Sequence, residues 1–260
     1  MSSSFGLLAR SLLFNALFYV NMIGRMIAAL PALALPRSFM LGVLRGYARS
    51  SLWLLHVVCG VDVKWRGREK LPQGAYLVAC KHQSVWETFA LFMLLPDPTY
   101  VLKRELMWIP LFGWLATKAE MIPIDRGTRA TALSRMASAA RRATAQARQI
   151  VIFPEGTRRP PGAEPRYLPG VAFLYAETGL PCVPVALNSG LFWPRRTLRR
   201  YPGTVLVEVL DPIPPGLDKR AFLNRLQTVL EQATARLVDE AAMGRQGSGV
   251  RDSLALPPDT

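Results

Sequence analysis

The chain is poor in cysteine and histidine, holding 3 and 2 of them in 260 residues. Cys59, Cys80 and Cys182 are odd in number, widely spaced and never arranged as C-x-x-C, which argues against a disulfide framework and a cysteine-built zinc site. Each stands among apolar neighbours, where a thiol packs as a small hydrophobe. Acidic residues are also scarce: 18 Asp and Glu face 32 Lys and Arg, a formal net charge of +14. A field of that sign attracts anionic partners, whether nucleic acid, acidic phospholipid or acidic protein, without choosing among them. There is no P-loop and no G-x-G-x-x-G after a strand. No internal repeat is present.

Long hydrophobic runs are missing as well, although half of the residues are hydrophobic. In residues 1–61 the apolar stretches "SLLFNALFYVNMIG", "MIAALPALALP" and "SSLWLLHVVCGV" are interrupted by Arg25, Arg37 and Arg49. None reaches the roughly 20 apolar residues that span a bilayer. Arg25 falls near the centre of any single span drawn through residues 11–35, and Pro31 and Pro36 break a helix there. The pattern favours helices lying in or dipping into one leaflet. A tilted span and a cleaved leader ending near the "ALA" at 32–34 are the alternatives.

From about residue 62 the pattern is α/β. Short apolar runs at 75–80, 99–103, 120–125, 149–154, 182–187 and 203–210 read as strands. Helical candidates lie between them, over 86–95, 128–149 and 169–179. In the second of these Leu133, Met136, Ala140, Ala143 and Ala147 form the apolar face, with Arg135, Arg142 and Arg148 turned elsewhere. Residues 218–242 form an amphipathic helix that Asp218 can cap. The expected architecture is a mixed, largely parallel sheet flanked by helices over 62–243, preceded by the apolar helical membrane-binding segment and followed by a flexible tail over 244–260.

Four stretches stand at strand ends, where ligands bind in α/β sheets. "KHQSVWET" (81–88) places Glu87 five residues after His82. A neutral imidazole can take a proton from a hydroxyl, and a carboxylate on its other nitrogen fixes the tautomer and stabilises the imidazolium. The same residues also read as a capping box, Ser84 to Glu87, and that is the commoner meaning of the pattern. "IPIDRG" (122–127) places Arg126 one residue past a strand. "FPEGTRR" (153–159) puts a carboxylate, a turn glycine, a hydroxyl and two guanidiniums after a buried strand. With Lys103 these residues make a basic rim suited to a phosphate-bearing substrate. Thr157 reads as a turn-shaping residue. The fourth stretch is "VPVALNSG" (183–190).

In this order and at these intervals, "KHQSVWET", "IPIDRG", "FPEGTRR" and "VPVAL" resemble the four motifs of the glycerolipid acyltransferases, specifically those acting on lysophosphatidic acid. The resemblance covers about residues 62–215. The family's first motif ends in Asp, whereas this chain keeps the spacing with Glu87, one methylene longer. The resemblance implies direct acyl transfer from acyl-CoA or acyl carrier protein to the 2-hydroxyl of 1-acyl-glycerol-3-phosphate, with His82 and Glu87 as the base. It implies Lys103, Arg126, Glu155, Gly156, Thr157 and Arg158 as substrate-binding residues. No metal and no cofactor beyond the donor co-substrate are implied, nor any nucleic acid. The implied setting is the cytoplasmic face of a bacterial inner membrane. Another lysolipid acceptor (a lyso-aminolipid) or glycerol-3-phosphate is the alternative for the substrate. A non-catalytic basic membrane-binding protein is the alternative of a different class.

Overall fold

The computed structural model describes the backbone of residues 2–125 and 129–247 and the side chains of residues 4–125 and 133–243. Helices α1 (Ser2–Ala28) and α2 (Arg37–Cys59) open the chain. They run antiparallel, since Arg10 bonds the Val58 carbonyl while Asn21 bonds Ser51. The break falls at the prolines: a 3-10 turn spans Leu30–Leu33, and α2 starts directly after Pro36. Proline lacks the donor that would continue a helix and its ring obstructs the preceding turn. Arg25 therefore sits in the last turn of α1 and not mid-span, donating to Asn21 and Ser50. Among the described residues α1 is the one helix long and apolar enough to cross a bilayer. Asn15 and Asn21 interrupt its apolar run in sequence without interrupting the helix.

One seven-stranded sheet follows. It is built from β1 (Val61–Arg66), β2 (Tyr76–Cys80), β3 (Pro98–Lys103), β4 (Ile122–Ile124), β5 (Gln149–Ile152), β6 (Cys182–Leu187) and β7 (Gly203–Val209). The order is β1-β7-β6-β2-β5-β3-β4. Strands β6, β2, β5, β3 and β4 are mutually parallel; β7 runs antiparallel to β6, with β1 parallel to β7 at the edge. The connecting helices are α3 (Trp86–Ala90), α4 (Phe112–Lys118), α5 (Arg129–Ala145), α6 (Gly170–Thr178) and α7 (Lys219–Gly247). The expected mixed, largely parallel α/β sheet is what forms.

Alternation along the strands feeds two cores. Tyr76, Val78 and Cys80 face α1, α2 and α3, packing with Phe14, Phe18, Leu55, Trp86 and Phe89. Leu77 and Ala79 face α5, α6 and α7, packing with Met136, Ala140, Leu174, Phe222 and Leu226. Both sheet faces are thus dry, as parallel strands require. The first two helices share a core with the sheet. Asp218 caps α7 as expected, accepting from the N–H groups of Arg220 and Ala221 at 2.9 Å.

Four features depart from the sequence reading. Strand β1 and helix α4 lie in segments with no assigned element. Residues Gly244 to Gly247 continue α7 instead of starting a tail; residues 248–260 lie outside the described residues. Finally, Arg148, expected on an outer face, is buried at 1% exposure. Its helix ends at Ala145, and Ala147 turns the chain with a φ of 55°. The guanidinium then points inward, 3.0 Å from Glu120 and 3.3 Å from Asp97. Arg37 of α2 closes on the same Asp97 at 2.7 Å.

This network ties α2 to the sheet at the edge remote from the strand C-termini. Burial alone would raise the pKa of Asp97, but the hydrogen bond from Arg37 and the charge of Arg148 outweigh it and hold the carboxyl below its ordinary value. Its stabilising contribution is therefore complete above the ordinary carboxylate range near pH 4 and is lost as pH falls through the lower folded value. Urea unfolding should show Arg148→Met destabilised by roughly 2 kcal/mol, less than for a fully buried pair because Asp97 keeps Arg37. Asp97→Asn should remove the corresponding acid-dependent loss of stability.

Candidate active site

The parallel half of the sheet reverses its winding at β2 and β5. From β2 the chain crosses through α3 on one face to β3; from β5 it crosses through α6 on the other face to β6. The C-terminal ends of β2 and β5 are therefore the topological switch point, the place where α/β sheets bind ligands. His82 follows β2 there, and Phe153 to Arg159 follow β5. The imidazole lies on the Phe153 ring, with centroids 4.1 Å apart and an interplanar angle of 18°.

Glu87 is the centre of this turn. It is fully buried, and its carboxylate accepts from four donors. Oε1 takes His82 Nδ1 at 3.0 Å and the N–H groups of Gln83 and Ser84 at 2.7 Å each. Oε2 takes the Ser189 hydroxyl at 2.8 Å. A carboxylate accepts only, so His82 carries its proton on Nδ1 and offers Nε2 as a base. Ser84 Oγ accepts from Trp86 N–H at 3.2 Å. The capping and pairing readings of the motif thus hold together: Glu87 reaches back to Ser84 N–H and grips His82 with the same oxygen.

Beneath His82 lies a second buried carboxylate. Glu155 Oε1 accepts from Lys81 Nζ at 2.7 Å, and Oε2 from the backbone N–H of His82 at 2.9 Å. Lys81, 5% exposed, also reaches Glu231 of α7 at 2.8 Å, which accepts from Tyr167 as well. Burial is the largest influence on Glu155 and pushes its pKa up; Lys81 and the His82 N–H pull it back. The sequence points to Glu155 as a substrate contact. The structure instead gives it an anchoring place, with both oxygens engaged below the histidine. Gly156 adopts a φ of 63°, a left-handed turn that glycine takes without strain. That turn brings Arg159 N–H to the His82 carbonyl at 2.8 Å.

The remaining basic candidates share this edge. Lys103 ends β3 and is exposed; Thr157 and Arg158 are exposed on the loop after β5. Arg126 lies outside the described residues, directly after Asp125 at the end of β4. Sequence reasoning missed Ser189, Lys81, Phe153, Glu231 and Gln83. Gln83 Oε1 accepts from Gly190 N–H at 3.0 Å. A Cβ on Gly190 would stand 2.8 Å from Pro161 and 3.0 Å from Gln83, so only glycine permits this closure.

Residues 62–188 match the family model described as Acyltransferase. The matched stretch runs from β1 through β6 and takes in His82, Glu87 and the loop after β5. The chain is 37% identical over 167 residues to "1-acyl-sn-glycerol-3-phosphate acyltransferase" of Pseudomonas aeruginosa, covering 64% of this chain and 65% of that protein. It is 34% identical over 188 residues to the protein of the same name from Limnanthes alba, covering 70% and 65%. The chain therefore spans just under two thirds of these relatives' lengths. The crystal structure of the 1-acyl-sn-glycerophosphate acyltransferase from Thermotoga maritima superposes with a TM-score of 0.74 at 19% identity, over 88% of this chain and 97% of that one. That likeness shows the fold.

The cradle around Glu87 has a measurable consequence. Ser189→Ala removes the donor to Oε2 and should cost about 1–3 kcal/mol in urea unfolding, the range for leaving a buried charged acceptor short of a partner. Ser189→Thr, which keeps the hydroxyl, should recover most of that loss.

Proposed function

We propose that the protein transfers a fatty acyl group from a thioester, acyl-CoA or acyl carrier protein, to the free hydroxyl of lysophosphatidic acid, forming phosphatidic acid. The observation that carries this reading is the His82–Glu87 pair, 3.0 Å apart, with its carboxylate fully buried and held by three further donors. Nε2 of His82 accepts the hydroxyl proton as the oxygen attacks the thioester carbonyl. The C–O bond forms, the C–S bond breaks, and the proton passes from His82 to the departing thiolate. Glu87 stabilises the transient imidazolium. No acyl-enzyme is formed.

The acceptor's phosphate is assigned to Lys103, Arg126 and Arg158, with Gly156 and Thr157 shaping the loop that presents Arg158. Glu155 serves this site indirectly, by holding the His82 backbone. The relatives' names and the phosphate-seeking charge support lysophosphatidic acid over a lysolipid that lacks a phosphate.

The outer face of α1 supports work at a membrane. Phe5, Leu12, Leu13, Val20, Ile23 and Ile27 are 45–76% exposed on a helix whose opposite face packs Phe14 and Phe18 into the core. Each large apolar side chain moved out of water contributes about 1.5–3 kcal/mol. Trp53, Trp108 and Trp114 are also well exposed, and indoles favour the bilayer interface.

With lysophosphatidic acid and palmitoyl-CoA, His82→Ala should lose at least about 10³-fold in kcat while still sedimenting with anionic vesicles. Full activity would sink the mechanism. Glu87→Gln keeps an oxygen for the three donors on Oε1 but removes the charge, and should lose about 10²–10⁴-fold in kcat. Arg126→Ala should raise the KM for lysophosphatidic acid with the donor's KM little changed.

A further inference from the structure

A group of arginines that the proposed reaction has not used stands on the other side of His82. Beyond β6 the chain makes a 3-10 turn over Ser189–Leu191 and reaches Arg195 and Arg196. Arg195 donates to the carbonyl of Arg158 on the loop after β5. Burial lowers the pKa of Arg195, and repulsion from Arg196, Arg158 and Arg159 adds to it. The other three guanidiniums therefore lie within electrostatic reach of Arg195. Among the described residues no carboxylate lies within ion-pair distance of any of them. Arg159 Nε is buried without a hydrogen-bond partner, and the same residue's backbone is bonded to His82.

The loop is held in place at its far end. Arg200 is 5% exposed, donates to Asn15 of α1 at 2.6 Å and lies 4.5 Å over the Trp193 ring; Asn15 in turn donates to the Leu198 carbonyl at 2.8 Å. Arg196 is exposed, with a φ of 57°. A strained, unpaired cation at a pinned loop tip is an arrangement that function, and not packing, accounts for.

Sheet order separates Lys103 from Arg195 and Arg196, with Arg158 on the loop between them. Lys103 ends β3, two strands from β2 on one side; Arg195 and Arg196 follow β6, the neighbour of β2 on the other side. The proposed reaction brings two phosphates to this edge. The acceptor's phosphate is carried on the carbon next to the one bearing the attacking hydroxyl and must sit close to His82. The donor's lies at the far end of a long pantetheine arm and must sit out at the rim. The geometry points to Arg195 and Arg196, joined to the centre by Arg159, as the site for the phosphate-bearing end of the acyl donor. This assignment rests on the acyl-transfer reading and deepens it.

The test varies each substrate separately in wild type, Arg196→Gly, Arg195→Gln and the double variant. Glycine accepts the left-handed φ at 196, so the melting temperature of that variant should not fall. The KM for palmitoyl-CoA should rise at least tenfold in the double variant, with the KM for lysophosphatidic acid within twofold of wild type; Lys103→Ala should give the reverse. A rise for lysophosphatidic acid alone, or for neither substrate, overturns the assignment. Palmitoyl-acyl carrier protein separates two sources of the bound phosphate. Loss with both donors places the shared pantetheine phosphate at the site, and loss with palmitoyl-CoA alone places the nucleotide phosphates there. If wild type shows no turnover, the function reading fails by itself. Calorimetric binding of CoA then decides the site: tenfold weaker binding in the double variant upholds it, and equal or absent binding overturns it.

Discussion

One buried carboxylate organises the edge that carries the candidate site. Burying an ionised Glu87 would cost several kcal/mol without partners, and its four donors offset that cost. Those donors come from the turn after β2 and from Ser189 after β6. Satisfying one charge therefore fixes the backbone of 82–84, the imidazole ring and the position of a second loop together. The glutamate's length matters here. From the first turn of α3 it reaches back to three N–H groups on one oxygen while the other meets Ser189. A shorter side chain would have to bring that loop closer or give up a donor.

The sheet supplies the place and the loops supply the chemistry. Reversal of winding between β2 and β5 marks the switch point, and parallel strands deliver Lys81–His82, Lys103, Phe153–Arg159 and Asn188–Ser189 to one edge. Glu155 secures the floor by binding the His82 N–H and Lys81, and Glu231 joins α7 to the same lysine. The two carboxylates adjacent to His82 thus differ in kind. Glu87 sets the imidazole's tautomer, whereas Glu155 sets where its backbone lies.

Much of this was legible in the sequence, for identifiable reasons. The six strands read as apolar runs formed, and the ordered motifs fall at their C-terminal ends. Strand β1 was missed although Val61, Val63 and Trp65 alternate with Asp62, Lys64 and Arg66, because the apolar residues of an edge strand do not form a run. Arg148 was misplaced because helical spacing was extended past Ala145, and no local pattern announces the left-handed Ala147. Ser189 and Lys81 were illegible as site residues because their partners are 102 and 150 positions away. Only the sheet order brings them together.

The first helix and the edge that carries the candidate site are mechanically one piece. Ser11, Asn15 and Phe14 on the inner face of α1 hold Arg200 and Trp193, which end the loop carrying Arg195 and Arg196. That polar contact sits within an otherwise apolar helix face, where it is costly unless satisfied. A lipid leaflet binding the outer face of α1 would act on the same rigid helix. Depth in such a leaflet and orientation of the basic loop toward His82 would therefore be coupled, because moving α1 would break the buried Arg200 contacts. Under the proposed reaction, a lipid acceptor rising from the leaflet and a soluble donor arriving from water would meet at an edge whose tilt follows that helix.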